Sequence, residues 1–129
     1  MSQFKRTICV GILCLFLFVT ATAKAVTRTM KTVVGIASYY GHVHQGRHMA
    51  NGQRFDESKL TAASRTLPLG TRVRVTSLRN RKSVIVTITD RGPIARTRII
   101  DLSAAAARAL GLIARGVGKV SVEPLSEAN

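Results

Sequence analysis

At 129 residues the chain has room for one domain. Twenty Lys and Arg against six Asp and Glu give a formal charge of +14 at neutral pH, which favours a polyanionic partner and excludes a like-charged one. With two Tyr and no Trp, it offers little stacking surface, which argues against a single-strand nucleic-acid binder.

The chain opens with Lys5 and Arg6, then an apolar run from Ile8 to Val19, then the small residues around Ala21 to Ala25. That order reads as a secretory signal peptide over residues 1–25, cut after Ala23 or Ala25. The run is shorter than the roughly 20 apolar residues a spanning helix needs, so an uncleaved signal is the one membrane attachment to expect. Cys9 and Cys14 both lie inside it, and Leu13 stands where a bacterial lipoprotein signal wants a small residue. The expectation is an exported protein, periplasmic or extracellular, with no lipid anchor and no disulfide in the mature chain. Lys5, Arg6 and Lys24 leave with the signal, so seventeen cations and six acids remain, a charge of +11. Export ranks cell-wall polymer or an anionic membrane surface ahead of nucleic acid as the partner.

Residues 26–32 read as a flexible arm, residues 33–125 as the domain, and residues 126–129 as a tail. Val33 to Tyr40 reads as a strand with Gly35 marking a bend. Gly41 to Gly70 shows little periodicity and is expected to be a long ligand-binding loop. Its three histidines, His42, His44 and His48, have no obvious carboxylate or thiolate companion, so neither a metal nor any other cofactor is expected. Asn51-Gly52 makes a tight turn, with Phe55 packing beneath, and Asp56 is either a third acid of the cleft or a turn cap.

Arg72 to Thr76 alternates apolar and basic residues, and Ser83 to Thr89 follows after the turn Arg79-Asn80-Arg81-Lys82, so the two form a hairpin. Its cations make a solvated surface that faces a polyanion. Gly92-Pro93 breaks the chain, Arg98 to Ile100 resumes it, and Leu102 to Leu110 is the one helix, with Ser103 as N-cap and Gly111 as stop. Lys119 to Glu123 is a last strand, closed by Pro124. Short strands, one short helix and no long βαβ spacing indicate an all-β fold, a small barrel.

Chemistry concentrates in Asp90 and Asp101, eleven positions apart, each directly after a β-branched run. Asp90 falls on the side of Val84, Val86 and Ile88, and Asp101 repeats the arrangement with Ile99. A carboxyl at the rim of a core is pushed toward its protonated form, which suits a general acid, whereas Arg91, Arg96 and Arg98 nearby favour the charged form. Which effect wins is open at this level, as is the plainer role of a cap for either residue. A Ser/His/Asp triad lacks any G-x-S-x-G elbow and is set aside.

Gly35–Gly41 (GIASYYG), Met49–Asp56 (MANGQRFD), Leu60–Thr71 (LTAASRTLPLGT), Thr89–Pro93 (TDRGP) and Arg98–Ser103 (RIIDLS) resemble, in order, the rare lipoprotein A (RlpA) family. The resemblance implies a six-stranded double-psi β-barrel, shared with expansins and some endoglucanases. It also implies an exported lytic transglycosylase that cleaves peptidoglycan glycan strands, often naked ones, with no expected room for the C-terminal SPOR module of many relatives. The family's motif aspartates fall on Asp90, Asp101 and Asp56. Substrate contacts are expected from Tyr39, Tyr40, Arg47, Asn51, Gln53, Asp56, Ser64 and Arg91. Four positions depart from the family pattern: Gln53 stands for a common Glu, Ser64 for His, Gln45 for His and Met49 for Thr. Glu and His titrate where Gln and Ser do not. The first reading is therefore a lytic transglycosylase with Asp90 as leading acid/base and Asp101 as second acid or stabiliser, acting as a monomer. The second is a catalytically weak glycan-binding or wall-loosening module of expansin type. A basic nucleic-acid or inhibitor protein on the same barrel ranks below both.

Overall fold

Period-2 apolar patterning decides which runs become strands. Arg72–Ser77 (β3) and Ser83–Asp90 (β4) carry it most clearly: Val73, Val75, Val86 and Ile88 are buried, while Arg72, Arg74 and Ile85 face out. The two pair antiparallel, from Arg72 opposite Thr87 to Thr76 opposite Ser83, as the expected hairpin. These observations come from a computed structural model that describes residues 31–126. The expected signal peptide, most of the arm and all of the tail but Ser126 lie outside the described residues.

The remaining strands are Val33–Tyr39 (β1), Thr61–Ala63 (β2), Arg98–Leu102 (β5) and Val117–Ser126 (β6). All six close into a barrel in the order β1-β5-β2-β4-β3-β6. The pairs β1–β5 and β2–β4 are parallel, and the others antiparallel. Val73, Val75, Val86, Ile88, Ile100, Leu102 and Val120 fill its interior, and Leu110 and Leu112 close one side. The helix Ala104–Ala109 (α1) lays Ala106 and Ala107 against the barrel, close because alanine carries only a methyl group. Ser103 caps it, its hydroxyl accepting from the Ala106 N–H at 3.2 Å. The helix is shorter than expected because β5 claims Leu102, and it ends at Gly111, whose φ of +71° suits glycine.

The segment Gly41–Gly70 is more ordered than its sequence suggests. It contains a 3₁₀ turn at His42–His44, a bridge between His48 and Arg54, and β2. Thr61-Ala62-Ala63 has no strand signature of its own. It is a strand because β4 and β5 hydrogen-bond to it from both sides. β6 also runs past Pro124, which lies opposite Val73 beside a register shift, where a missing N–H is tolerated. Among the described residues no helix is long and apolar enough to cross a membrane.

Candidate active site

β2 brings the two aspartates together. Ala63 pairs with Asp101 of β5 on one side and with Asp90 of β4 on the other. Neighbouring strands lie about 4.8 Å apart, so the two Cα atoms are roughly 10 Å from each other. Ala63 puts only a methyl group between them. On the far side of Asp101 comes Ser38 of β1, completing a row of Ser38, Asp101, Ala63 and Asp90. Asp90 joins that row through a register shift between Ala62 and Ala63 that passes over Thr89. The alternation of β4 breaks there, with Ile88 and Thr89 both buried, as a bulge requires.

Asp90 is half-buried, but the bulge turns it out of the face of Val84, Val86 and Ile88 in which the β4 pattern had placed it. On β5 the pattern misled as well. The buried residues are Ile100 and Leu102, so Asp101 lies on the opposite side from the core face, with half-buried Ile99. Asp101 accepts a hydrogen bond from the Ser38 hydroxyl at 3.0 Å. Its pKa is raised above the ordinary 3.8: burial outweighs the Ser38 bond and the positive charges of Arg98 and His44, and the charge of Asp90 adds to the rise. Burial thus wins the contest that the sequence left open.

Asp90 uses both carboxyl oxygens. Oδ1 accepts from the backbone N–H groups of Ala50 at 2.9 Å and Arg91 at 2.8 Å, and Oδ2 accepts from the Tyr40 hydroxyl at 3.2 Å. Tyr40 is held protonated well above the ordinary tyrosine range, by burial first, then by the charges of Asp90 and Asp101, then by its bond to Asp90. One phenol therefore feels both acids. Phe55 packs edge-on against its ring at 5.0 Å between centroids, and His44 at 5.3 Å.

Ala50 reaches Asp90 because the small hairpin it belongs to is pinned. The Asn51 N–H donates to the Thr89 carbonyl at 3.2 Å, while the Asn51 side chain accepts from the Gln53 N–H at 3.0 Å and donates to the Gln53 side chain at 3.3 Å. Gln53 and Asn51 are exposed here, beside the acids. Next to the hairpin opens a cleft of about 520 Å³ whose lining includes Gln45, Gln53, Arg54, Phe55, Lys59 and Thr61.

Other expected contacts are committed to the scaffold. The Ser64 hydroxyl, buried, accepts from the N–H groups of Thr66 at 3.2 Å and Leu67 at 3.1 Å. The Arg91 guanidinium donates to the carbonyls of Ser64 and Leu67, so both residues tie the segment after β2 to the end of β4. Asp56 lines the cleft and also closes a turn, accepting from the Ser58 N–H at 3.0 Å and hydroxyl at 2.7 Å, and these bonds lower its pKa. Tyr39 alternates to the other side of β1, where its hydroxyl reaches the Ile113 carbonyl at 3.3 Å. Arg47 fastens the loop by its backbone, and its side chain is exposed. Ser38, His44 and Phe55 join the site although none was singled out for it. Ser38 was detectable, two residues before Tyr40 on the same side of a strand. His44 was not, because the 3₁₀ turn that aims it is invisible in the pattern. His42 lies 3.0 Å from Glu57, and no group of three or more metal-ligating side chains occurs among the described residues.

A sequence model of one protein family, described as lytic transglycolase, matches residues 32–122. The chain belongs to the lytic transglycolase family. A Synechocystis sp. relative, "Probable endolytic peptidoglycan transglycosylase RlpA", is 60% identical over 89 residues, covering 69% of this chain and 28% of the relative. "Endolytic peptidoglycan transglycosylase RlpA" of Pasteurella multocida is 57% identical over 89 residues, covering 69% and 30%. The chain thus spans under a third of the length of these two lytic transglycolase relatives. Among solved structures, the Streptomyces papain inhibitor superposes with a TM-score of 0.62 at 25% identity, over 77% of this chain and 98% of the other. A Clavibacter michiganensis expansin gives 0.60 at 23% identity, over 77% and 52%. These likenesses bear on fold alone, and with the closed six-stranded sheet they make this lytic transglycolase domain the double-psi β-barrel that its motifs implied.

Proposed function

We propose that this domain is an endolytic peptidoglycan lytic transglycosylase, working outside the cytoplasm and cleaving glycan strands, naked ones in particular, to 1,6-anhydromuramic ends. The observation that carries the proposal is the row in which Asp101 and Asp90 flank the methyl group of Ala63 under one shared tyrosine. The names of relatives 47–60% identical support the substrate class. All the acid–base groups come from one chain, so a monomer suffices.

In the reaction a carboxylic acid protonates the glycosidic oxygen, the bond from C1 to that oxygen breaks, and the sugar's own C6 hydroxyl closes onto C1. The hydroxyl's proton returns to a carboxylate, so no water is consumed. The raised pKa of Asp101 supports giving it the donor's part, which reverses the order read from the sequence. Asp90, with its oxygens fixed by three donors, is then the anion that faces the developing positive charge and accepts the C6 proton. Tyr40 holds Asp90 in place. Gln53 offers a polar contact to the strand along the adjoining cleft, and Arg47 and Asn51 stand exposed on the same loop.

The expansin-like reading keeps one observation of its own. Gln53 and Ser64, standing where relatives commonly carry Glu and His, are engaged in turn hydrogen bonds. Digesting purified glycan strands with the full chain and assaying 1,6-anhydro ends by mass spectrometry separates the two. Product that disappears in Asp101→Asn and Asp90→Asn supports the lyase. Strands that bind but stay intact favour the binding module.

A further inference from the structure

We propose that the opposite end of the barrel holds a second binding site, one for the phosphate group of a phosphate ester. The acids of this molecule are gathered at one end. Asp90 and Asp101 lie at the end where β4 finishes, and Asp56 and Glu57 directly follow Phe55, which packs on Tyr40 there. The remaining acid among the described residues, Glu123, pairs with Arg74 at 3.1 Å. At the other end, where β3 turns into β4, a cavity of about 350 Å³ is lined by Ser77, Arg79, Asn80, Leu112, Arg115 and Lys119, with two glycines. Eight residues of β4 at about 3.3 Å each put more than 20 Å between this cavity and Asp90.

Three features make it a built site. No acid lines it, and none of Arg79, Arg115 and Lys119 forms an ion pair among the described residues. Ser77 on its wall is 2% exposed, and its backbone N–H and carbonyl are taken by Lys82 and Arg81. The walls are also braced: the Asn80 amide donates to the Leu110 carbonyl at 3.0 Å and accepts from the Lys82 N–H at 3.0 Å, which fixes the turn against the end of α1. A preformed cavity avoids an ordering cost on binding.

Two guanidinium forks, an ammonium and a hydroxyl match the three outer oxygens and the charge of a phosphate better than the two oxygens and single charge of a carboxylate. The volume exceeds what a bare phosphate fills, and Leu112 supplies an apolar wall, so the ligand carries an organic substituent. A membrane lipid headgroup and a soluble phosphate ester both meet that description.

The test is titration of the full chain with inorganic phosphate at fixed ionic strength, by calorimetry and by amide shifts around Ser77. Saturable one-to-one binding, weakened about tenfold or more in Arg115→Gln and in Arg79→Gln, is the result expected. Arg72→Gln, which removes the same charge from β3 outside the cavity, should leave it unchanged, and matched thermal melts show that every variant folds. Capture on vesicles of phosphatidylcholine with phosphatidylglycerol, but not of phosphatidylcholine alone, and lost in Arg115→Gln, would assign the phosphate to lipid. Phosphate binding without vesicle capture would assign it to a soluble ester. Absence of saturable binding, or an Arg72→Gln loss as large as that of Arg115→Gln, would overturn the proposal.

Discussion

Tyr40 shows how much of the site rests on single side chains. Its hydroxyl is the side-chain donor to Asp90, while its ring is locked by Phe55 and His44. Tyr40→Phe keeps the packing and deletes one hydrogen bond to a carboxylate, so turnover on glycan strands should fall about tenfold or more with the melting temperature nearly unchanged. Asp101 makes a prediction with a definite sign. Its folded pKa is raised, so the folded protein holds this proton more tightly than the unfolded chain does. The stabilisation it gives is complete below about 3.8 and fades as pH climbs through the raised value. Asp101→Asn should therefore gain stability relative to the parent across that rise, as read by urea midpoints at several pH values. Asp56, lowered by its bonds to Ser58, has the opposite slope and acts below 3.8, so the two windows separate. Away from the site, the Thr71 hydroxyl is buried without a partner. Thr71→Val should raise stability by about 1 kcal/mol in the same urea experiment.

At the scale of elements, β2 carries more function than its three residues advertise. The hairpin of β3 and β4 was legible because Val and Arg alternate along it, and the helix because alanines follow a serine cap. Thr61-Ala62-Ala63 holds no such pattern; its strand state is imposed by two neighbours, and so is the meeting of Asp90 and Asp101 across it. For the same reason sequence could not show that the motif aspartate Asp56 and the replaced position Ser64 are engaged in turns. Only the local hydrogen bonds decide, and these need the chain's path in space. The seam between β1 and β5 makes an independent test. A Cβ on Gly35 would come within 2.6 Å of Ile99 Cγ2. Gly35→Ala should therefore cost about 1–3 kcal/mol, seen as a lower urea midpoint at unchanged slope, as Ile99 is forced from its packing.

Across the whole molecule, barrel closure does two things at once: it gathers four acids at one end and leaves the cavity of Arg79, Arg115 and Lys119 at the other. The ends are more than two Debye lengths apart at roughly 8 Å each in physiological salt, so they act independently. Arg115→Gln should leave both glycan cleavage and the titration of Asp101 where they were. The central claim is that closure sets Asp90 near enough to Asp101 to add to the rise that burial gives it, and the most direct measurement is carboxyl-carbon NMR titration of Asp101 in the parent and in Asp90→Asn. Asp101 should titrate above 3.8 in the parent and move part of the way down in the variant, burial keeping the rest. A midpoint at the ordinary aspartate value, indifferent to Asp90→Asn, would contradict the account.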